Sequence, residues 1–320
     1  MKRGSQGDLG FRVTTGAFAV LVVGIVAGIG AVLIAESWLS IQKFGLGFWQ
    51  GTTWDPVAGE FGALPFIWGT LYSSILALLI ATPVALGIAI FIAELCPARL
   101  RMPLVFLTEL LAAIPSIVYG LWGVFVLVPA VRSFQRGFPP SLKALPFFEG
   151  PPVGVGMLAA VLILAVMVVP FTASVAREVL KAVPGSQREA AYALGATRWE
   201  AIRAALFYAR TGIIGAIILG FGRALGETMA VTMVIGNNPQ VTASLFKPQY
   251  TMAAVLANEF AEAADDLYLH ALIEIGLVLF AITLVVNTAS RALIWSMNRP
   301  VRAPRAARIP VGAAPAGGAA

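Results

Sequence analysis

Long apolar runs, separated by short polar stretches, account for most of this chain. Six of these runs are long enough to cross a bilayer, and they lie at 16–36, 67–92, 104–130, 154–176, 211–236 and 269–297. A membrane-spanning helix needs roughly 20 mostly apolar residues to cross about 30 Å of hydrocarbon. The pattern therefore predicts an all-α membrane protein with six transmembrane helices.

The two ends of the chain differ from the apolar middle. We predict a cytoplasmic N-terminal segment at 1–15, a transmembrane domain at 16–298 and a disordered basic tail at 299–320, which lacks the bulky apolar residues that would offset ordering entropy. The first run is longer than the apolar core of a signal peptide, and no clear cleavage site follows it. We therefore expect it to be a retained membrane anchor.

Composition excludes several other classes of protein. The chain is 59% hydrophobic and only 12% charged, with a mean hydropathy of +0.86, whereas soluble domains are about a quarter charged. Its one cysteine, Cys96, cannot form an internal disulfide. A single histidine, His270, offers no cluster of metal ligands, so we predict neither a metal site nor a membrane enzyme.

The distribution of positive charge predicts the orientation in the membrane. Most of the 22 basic residues lie in alternate connecting segments. These residues are Lys2, Arg3 and Arg12; Arg99 and Arg101; Arg177, Lys181, Arg188, Arg198, Arg203 and Arg210; and Arg291, Arg299, Arg302, Arg305 and Arg308. Because cytoplasmic segments are enriched in Lys and Arg, both termini are predicted to be cytoplasmic. The basic excess thus reports topology, and we expect no nucleic-acid partner.

Three spans contain a proline, at Pro83, Pro115 and Pro170. Each proline removes one helical hydrogen-bond donor, and such a kink is tolerated where neighbouring groups satisfy the freed carbonyl. We expect a packed kink at each. Secondary transporters tend to show inverted repeats and broken helices in matched halves, and the sequence shows neither signal.

The polar connection at 177–210 is patterned as two short helices. Ser186 followed by Glu189, and Thr197 followed by Glu200, each have the spacing of a capping box. Gly195 separates the two predicted helices. The connection is therefore expected to form a compact, structured projection on the cytoplasmic face.

Within this connection, the sequence "EAAYALG" resembles the EAA loop of ABC importer permeases. Glu189, Ala190, Ala191 and Gly195 match the family pattern, whereas Ala205 to Tyr208 replace its Ile-x-Leu-Pro ending. The resemblance implies a type I importer-like permease whose loop, at about 184–208, docks onto a separate ATP-hydrolysing subunit. No lysine follows a glycine, so the chain lacks a Walker A motif. We expect it to bind no cofactor, with ATP and Mg²⁺ used by the partner.

Two charged residues, Arg223 and Glu227, lie inside the fifth apolar run. On a continuous helix they would share one face, and ionisable residues within a span usually face the bundle interior. They could neutralise each other as an ion pair, or Arg223 could bind a passing anion that Glu227 helps to hold or release. Ser116 and Thr228 are candidates to line the same path.

The blocks "ELLAAIPSIVYGLWG" at 109–123 and "GFGRALGETMAVTMVIGN" at 220–237 resemble the C-type permease subunits of phosphate-specific transport (Pst) systems. The resemblance implies half of the translocation pathway of an ATP-driven phosphate importer in a bacterial cytoplasmic (inner) membrane. It also implies a second permease (PstA-like), an ATPase dimer (PstB-like) and an extracytoplasmic phosphate-binding protein (PstS-like). A sulfate or molybdate importer, or a secondary anion transporter, remains an alternative.

Overall fold

The computed structural model describes residues 6–143 and 145–297. The predicted disordered tail at 299–320 lies outside the described residues. In chain order, the helices and strands are α1 (Gln6–Glu36), α2 (Trp38–Phe44), α3 (Gly47–Gln50), β1 (Trp54–Asp55), β2 (Glu60–Phe61), α4 (Leu64–Ile90), α5 (Ala98–Ala113), α6 (Ser116–Trp122), α7 (Val128–Gly137), α8 (Pro140–Lys143), α9 (Met157–Lys181), α10 (Gly185–Ala193), α11 (Arg198–Leu225), α12 (Met229–Ile235), α13 (Met252–Glu259) and α14 (Asp266–Met297). The π-helical turn Phe91–Leu95 continues α4, and a second π-helical turn, Gly123–Leu127, joins α6 to α7.

Six helical segments within the described part of the chain are long and apolar enough to cross a membrane, as predicted. They are Asp8–Glu36, Leu64–Leu95, Ser116–Gly137, Met157–Lys181, Arg198–Leu225 and Asp266–Met297. The third and fifth differ from the predicted runs, because breaks in the chain divide 104–130 and 211–236. The remaining four agree closely with the apolar pattern.

Helix α9 forms the centre of the bundle and packs against α4, α5 and α11. These contacts are close because many of the side chains at them are small. Ala77 and Ala81 of α4, for example, lie in one buried core with Ala159 and Ala160 of α9. Small residues let membrane helices approach and gain van der Waals contact where no hydrophobic effect drives them together. Pro83 and Pro170 lie inside continuous helices. Pro170 is buried, as expected for a packed proline, whereas Pro83 is exposed in this chain.

A second core lies at the end of the bundle where α4 begins. The two short strands form an antiparallel hairpin that packs there with α13 and α14. Phe48 and Phe61 are almost fully buried in it. The Trp54 indole and the Tyr268 hydroxyl both donate to the Glu259 carboxylate, at 2.8 and 2.7 Å. The hairpin is thereby fixed to α13 and α14.

The backbone at Tyr250 crosses α4 at Gly69. A Cβ atom at Gly69 would lie 2.0 Å from the Tyr250 carbonyl oxygen. Beyond its own helical backbone, a Cβ atom at Gly87 of the same helix would meet no heavy atom of the described residues within 4 Å. We expect Gly69→Ala to destabilise the fold by about 1–3 kcal/mol through overpacking, and Gly87→Ala to be neutral or slightly stabilising. Thermal unfolding of both purified variants tests this, and equal midpoints would contradict the close crossing.

Candidate functional site

The docking loop, defined as residues 184–208, begins with α10 and ends in the first turns of α11. The capping box predicted at Thr197 is confirmed, because the Thr197 Oγ1 accepts from the Glu200 amide at 3.4 Å and Glu200 Oε2 accepts from the Thr197 amide at 2.8 Å. The cap predicted at Ser186 is wrong. Helix α10 begins at Gly185, one residue earlier, with Pro184 in an extended conformation at the N-cap position and no side-chain cap.

The second short helix predicted in this loop is part of a longer one. Helix α11 runs without interruption from Arg198 to Leu225. Tyr208 stands where the importer family pattern has proline, so nothing removes a donor or forces a break at this position. The docking loop is therefore joined directly to the fifth span.

The predicted coupling residues lie on an exposed surface. Glu189, Ala190 and Gly195 are exposed and Ala191 is half-buried. Gly195 has a φ of +81°, which favours glycine and turns the chain between α10 and α11. The adjacent Leu194 is 90% exposed. Exposed apolar side chains of this size at the tip of a structured loop are typical of a protein interface.

An ion pair missed by the sequence analysis attaches the docking loop to α4. The Arg188 guanidinium donates through Nε to both carboxylate oxygens of Glu94, each at 3.1 Å, and through its other nitrogens to the carbonyls of Val183 and Leu180. Arg198 donates to the Glu94 carbonyl at 2.9 Å. Glu94 and Arg188 are far apart in the sequence, and no local pattern indicates that they meet.

The first break separates α5 from α6, where a simple kink was predicted. Ile114 and Pro115 have extended ψ angles of 130° and 139°, since a residue before proline is pushed out of the helical region. The Leu111 carbonyl, released by the break, accepts the Tyr119 hydroxyl at 2.8 Å. The Tyr119 hydroxyl thus replaces the backbone donor that Pro115 lacks. A tyrosine one helical turn after a proline could have suggested this role.

The second break contradicts the prediction of one helix over 211–236. Helix α11 ends at Leu225 and α12 begins at Met229, so Arg223 and Glu227 do not share a helical face. Glu227 Oε1 accepts the Ala230 amide at 3.3 Å. Four ion pairs occur among the described residues, and Arg223–Glu227 is not one of them. The residues after Gly226 hydrogen-bond to the local backbone instead, which favours a helix start over continuation.

The two breaks lie next to each other because α6 and α12 pack side by side. A Cβ at Gly120 would lie 3.1 Å from the Ala230 Cα, and one at Gly123 would lie 3.0 Å from a Val234 methyl group. These contacts advance in the same direction along both helices, so the helices are parallel. Ser116, at the start of α6, and Thr228, just before α12, are therefore at the same end of the pair.

Arg223 occupies the last turn of α11 beside these breaks. Its guanidinium carbon lies 5.6 Å from the ring centroid of Phe171, which is on α9, and its charge is within electrostatic reach of Tyr119. The Arg223 Nε is buried and makes no hydrogen bond within the described part of the chain. A buried donor without an acceptor costs about 1–3 kcal/mol, so this position favours an anion as its missing partner.

We call Ser116, Tyr119, Phe171, Arg223 and Glu227 the broken-helix site. The structure places the predicted residues of the path at the two breaks, with Ser116 at the first and Arg223, Glu227 and Thr228 at the second. It places the coupling residues Glu189, Ala190, Ala191 and Gly195 elsewhere, at the opposite end of α11. Phe171 was missed, because only the packing of α9 against α11 shows that its ring meets Arg223.

Comparison with known proteins gives the family. Residues 85–299 match the family described as "Binding-protein-dependent transport system inner membrane component". The chain belongs to this family. It is a multi-pass inner membrane permease and not an enzyme, as predicted.

Relatives and structures agree with this assignment. The "Phosphate transport system permease protein PstC" of Mesorhizobium japonicum is 45% identical over 93% of each chain, and that of Haemophilus influenzae is 47% identical over 90% of this chain and 93% of its own. An inward-facing structure of the MetNI methionine ABC transporter covers 73% of this chain and 95% of its own, with a TM-score of 0.56 and 16% identity. The latter likeness shows the ABC importer permease fold alone.

The Glu94–Arg188 pair yields a prediction about the docking loop of the permease. Arg188→Gln removes the charge that holds α10 against α4, and we expect amide hydrogen exchange in residues 185–193 to rise about 10-fold, or ~1.4 kcal/mol. Hydrogen-exchange mass spectrometry measures this. Lys247→Gln, which breaks the Lys247–Glu149 pair of another loop, is the matched control. Unchanged exchange in Arg188→Gln would show that the pair does not hold the loop.

Proposed function

We propose that this chain is the C-type permease subunit of an ATP-driven importer of inorganic phosphate and forms half of its translocation pathway. The observation that supports this most directly is its 45–47% identity, over at least 90% of the chain, to relatives named phosphate transport system permeases. The broken-helix site supplies the chemistry such a substrate requires. Arg223 is the one cation among the residues that define this site, and its buried Nε has no acceptor in the described part of the chain.

Phosphate would be bound at the broken-helix site by Arg223 and the start of α6. A guanidinium presents parallel donors that match a tetrahedral oxyanion. The helical stretch Ser116–Gly137 directs its N-terminus, which carries a partial positive charge, toward the breaks. The hydroxyls of Ser116 and Thr228 add neutral hydrogen-bonding groups, which lets the site hold phosphate without a second cation.

Glu227 would limit how tightly the anion is held. Its carboxylate is anchored on the Ala230 amide at 3.3 Å and places a negative charge near the same breaks. A transport site must bind well enough to admit its substrate and weakly enough to release it. Arg223 attracts phosphate and Glu227 opposes it, so their balance favours passage over trapping.

The site requires a second permease chain. Arg223 and Glu227 are only half-buried and Gly226 is exposed, so one side of the broken-helix site is open in this chain. We propose that a PstA-like permease closes that side, that a PstB-like ATPase dimer using ATP and Mg²⁺ binds the docking loop, and that a PstS-like protein delivers phosphate. The docking loop then faces the cytoplasm together with the Arg-rich segments and both termini.

Two connections would carry the ATPase movement to the site. The first is α11 itself, which spans 28 residues between the Thr197 cap and Leu225, about 42 Å at 1.5 Å per residue. The second runs from the docking loop through Arg188 and Glu94 to α4, which packs along α9. Phe171 of α9 then contacts Arg223. Alternating access follows if ATP binding opens the pathway outward and hydrolysis returns it inward.

Removal of the Arg223 charge tests the substrate site. In proteoliposomes that contain the whole importer, we expect Arg223→Gln to lower uptake of radiolabelled phosphate at least 10-fold without loss of assembly, because the charged donor contributes about 1.5–3 kcal/mol. Arg291→Gln, at an exposed position on α14 outside the docking loop, should transport normally. Normal uptake in Arg223→Gln would exclude the proposed site, and inhibition of wild-type uptake by sulfate or molybdate would contradict phosphate specificity.

A surface substitution tests the docking loop. Leu194→Glu places a charge on the 90% exposed tip of the loop, where it opposes burial against an apolar partner surface. We expect co-purification of the ATPase subunit to fall at least 10-fold. Val57→Glu, which is 99% exposed in the hairpin at the other end of the bundle, should retain the ATPase. Equal recovery from both variants would place the ATPase contact elsewhere.

A further inference from the structure

A cleft of about 110 Å³ lies at the docking-loop end of the bundle, between the last turn of α4, the first turns of α5 and the end of α9. One part of its lining is apolar, with Ile92, Met102 and Val105. The other part is basic, with Arg101, Arg177 and Lys181. This basic cleft shares no residue with the broken-helix site or with the docking loop.

The innermost cation of the basic cleft is Arg177, which is only 8% exposed. One of its terminal nitrogens donates to Glu109 at 2.9 Å and also forms an ion pair with Glu178, whose carboxylate oxygen lies 2.7 Å away. Its Nε is buried and makes no hydrogen bond within the described residues. Two carboxylates therefore hold the guanidinium in position and still leave one of its donors without an acceptor.

The positive charges of the two outer cations, Arg101 and Lys181, are less neutralised by carboxylates than that of Arg177. Arg101 donates to the Cys96 carbonyl at a long 3.4 Å. Neither Arg101 nor Lys181 forms an ion pair with any carboxylate in the described part of the chain. Three cations thus share two carboxylates, and the surplus positive charge lies at the mouth of the cleft.

We propose that the basic cleft binds a phosphate group, supplied by the headgroup of an anionic phospholipid or by free phosphate. Basic pockets between membrane helices on the cytoplasmic side suit anionic headgroups, and guanidinium donors match phosphate oxygens. A lipid would in addition place its chain along Ile92, Met102 and Val105. Positive charge at the membrane surface explains exposed arginines, but it does not explain a buried arginine with a free donor.

The experiment uses the whole importer in lipid nanodiscs and removes the two outer charges with Arg101→Gln/Lys181→Gln. The matched control, Arg99→Gln/Arg291→Gln, removes two exposed charges that lie outside the docking loop and do not line the cleft. In the first arm, native mass spectrometry measures retention of phosphatidylglycerol in phosphatidylcholine discs. We expect one retained molecule per chain in the wild type and the control, and about 30-fold weaker retention in the cleft variant.

The second arm measures binding of radiolabelled inorganic phosphate in discs of pure phosphatidylcholine. All proteins in this arm also carry Arg223→Gln, which separates the cleft from the proposed transport site. A loss in the lipid arm identifies a headgroup, and a loss in the phosphate arm identifies free phosphate. If the cleft variant matches its control in both arms, the proposal is wrong.

A single substitution provides an independent test in case the double variant fails to assemble. Met102→Glu introduces a carboxylate at a 72% exposed position that lines the cleft, and it removes no contact of Arg177. We expect it to weaken phosphate-group binding in the same arm as the double variant. Wild-type binding in Met102→Glu would also overturn the proposal.

Discussion

A backbone amide or carbonyl without a partner costs several kcal/mol in hydrocarbon, and this constraint governs the two spans that break. Tyr119 satisfies the Leu111 carbonyl at the first break, and Glu227 accepts the Ala230 amide at the second. Each break is thereby stabilised by a polar side chain that a continuous helix would not need. The parallel packing of α6 and α12 then places both sets of polar groups beside Arg223, so the requirement for backbone hydrogen bonds itself creates a polar site within the bundle.

The uninterrupted length of α11 relates this site to the surface that contacts other proteins. The Thr197 capping box holds one end of the helix, and the other end, Leu225, lies two residues after the proposed substrate residue Arg223. Because an α-helix transmits displacement along its axis with little compression, movement of the docking loop reaches Arg223 through one rigid element. The Glu94–Arg188 pair prevents the loop from moving independently of α4.

Three arginines with buried or half-buried side chains, Arg177, Arg188 and Arg223, differ in how completely their hydrogen-bond donors are used. Arg188 donates to a carboxylate and to two backbone carbonyls, and it acts as a structural link. Arg177 and Arg223 each keep a buried Nε without an acceptor among the described residues. Buried donors are normally satisfied, and Arg177 and Arg223 are the charged side chains with such a donor in the described part of the chain, so these are the positions at which we propose that an anion would complete the structure.

The sequence by itself determined the number of spans, the docking-loop motif, the Thr197 cap and the choice of Ser116, Arg223, Glu227 and Thr228 as candidate path residues, since hydrophobicity, capping chemistry and charge are local properties. It also led to the wrong expectation of a continuous fifth span, because periodicity does not show where Gly226 and Glu227 end a helix. Only the tertiary structure decided that the breaks meet, that Phe171 faces Arg223 and that Glu94 holds Arg188. These contacts join residues far apart in the chain, and their pairing depends on the packing of α4, α9 and α11.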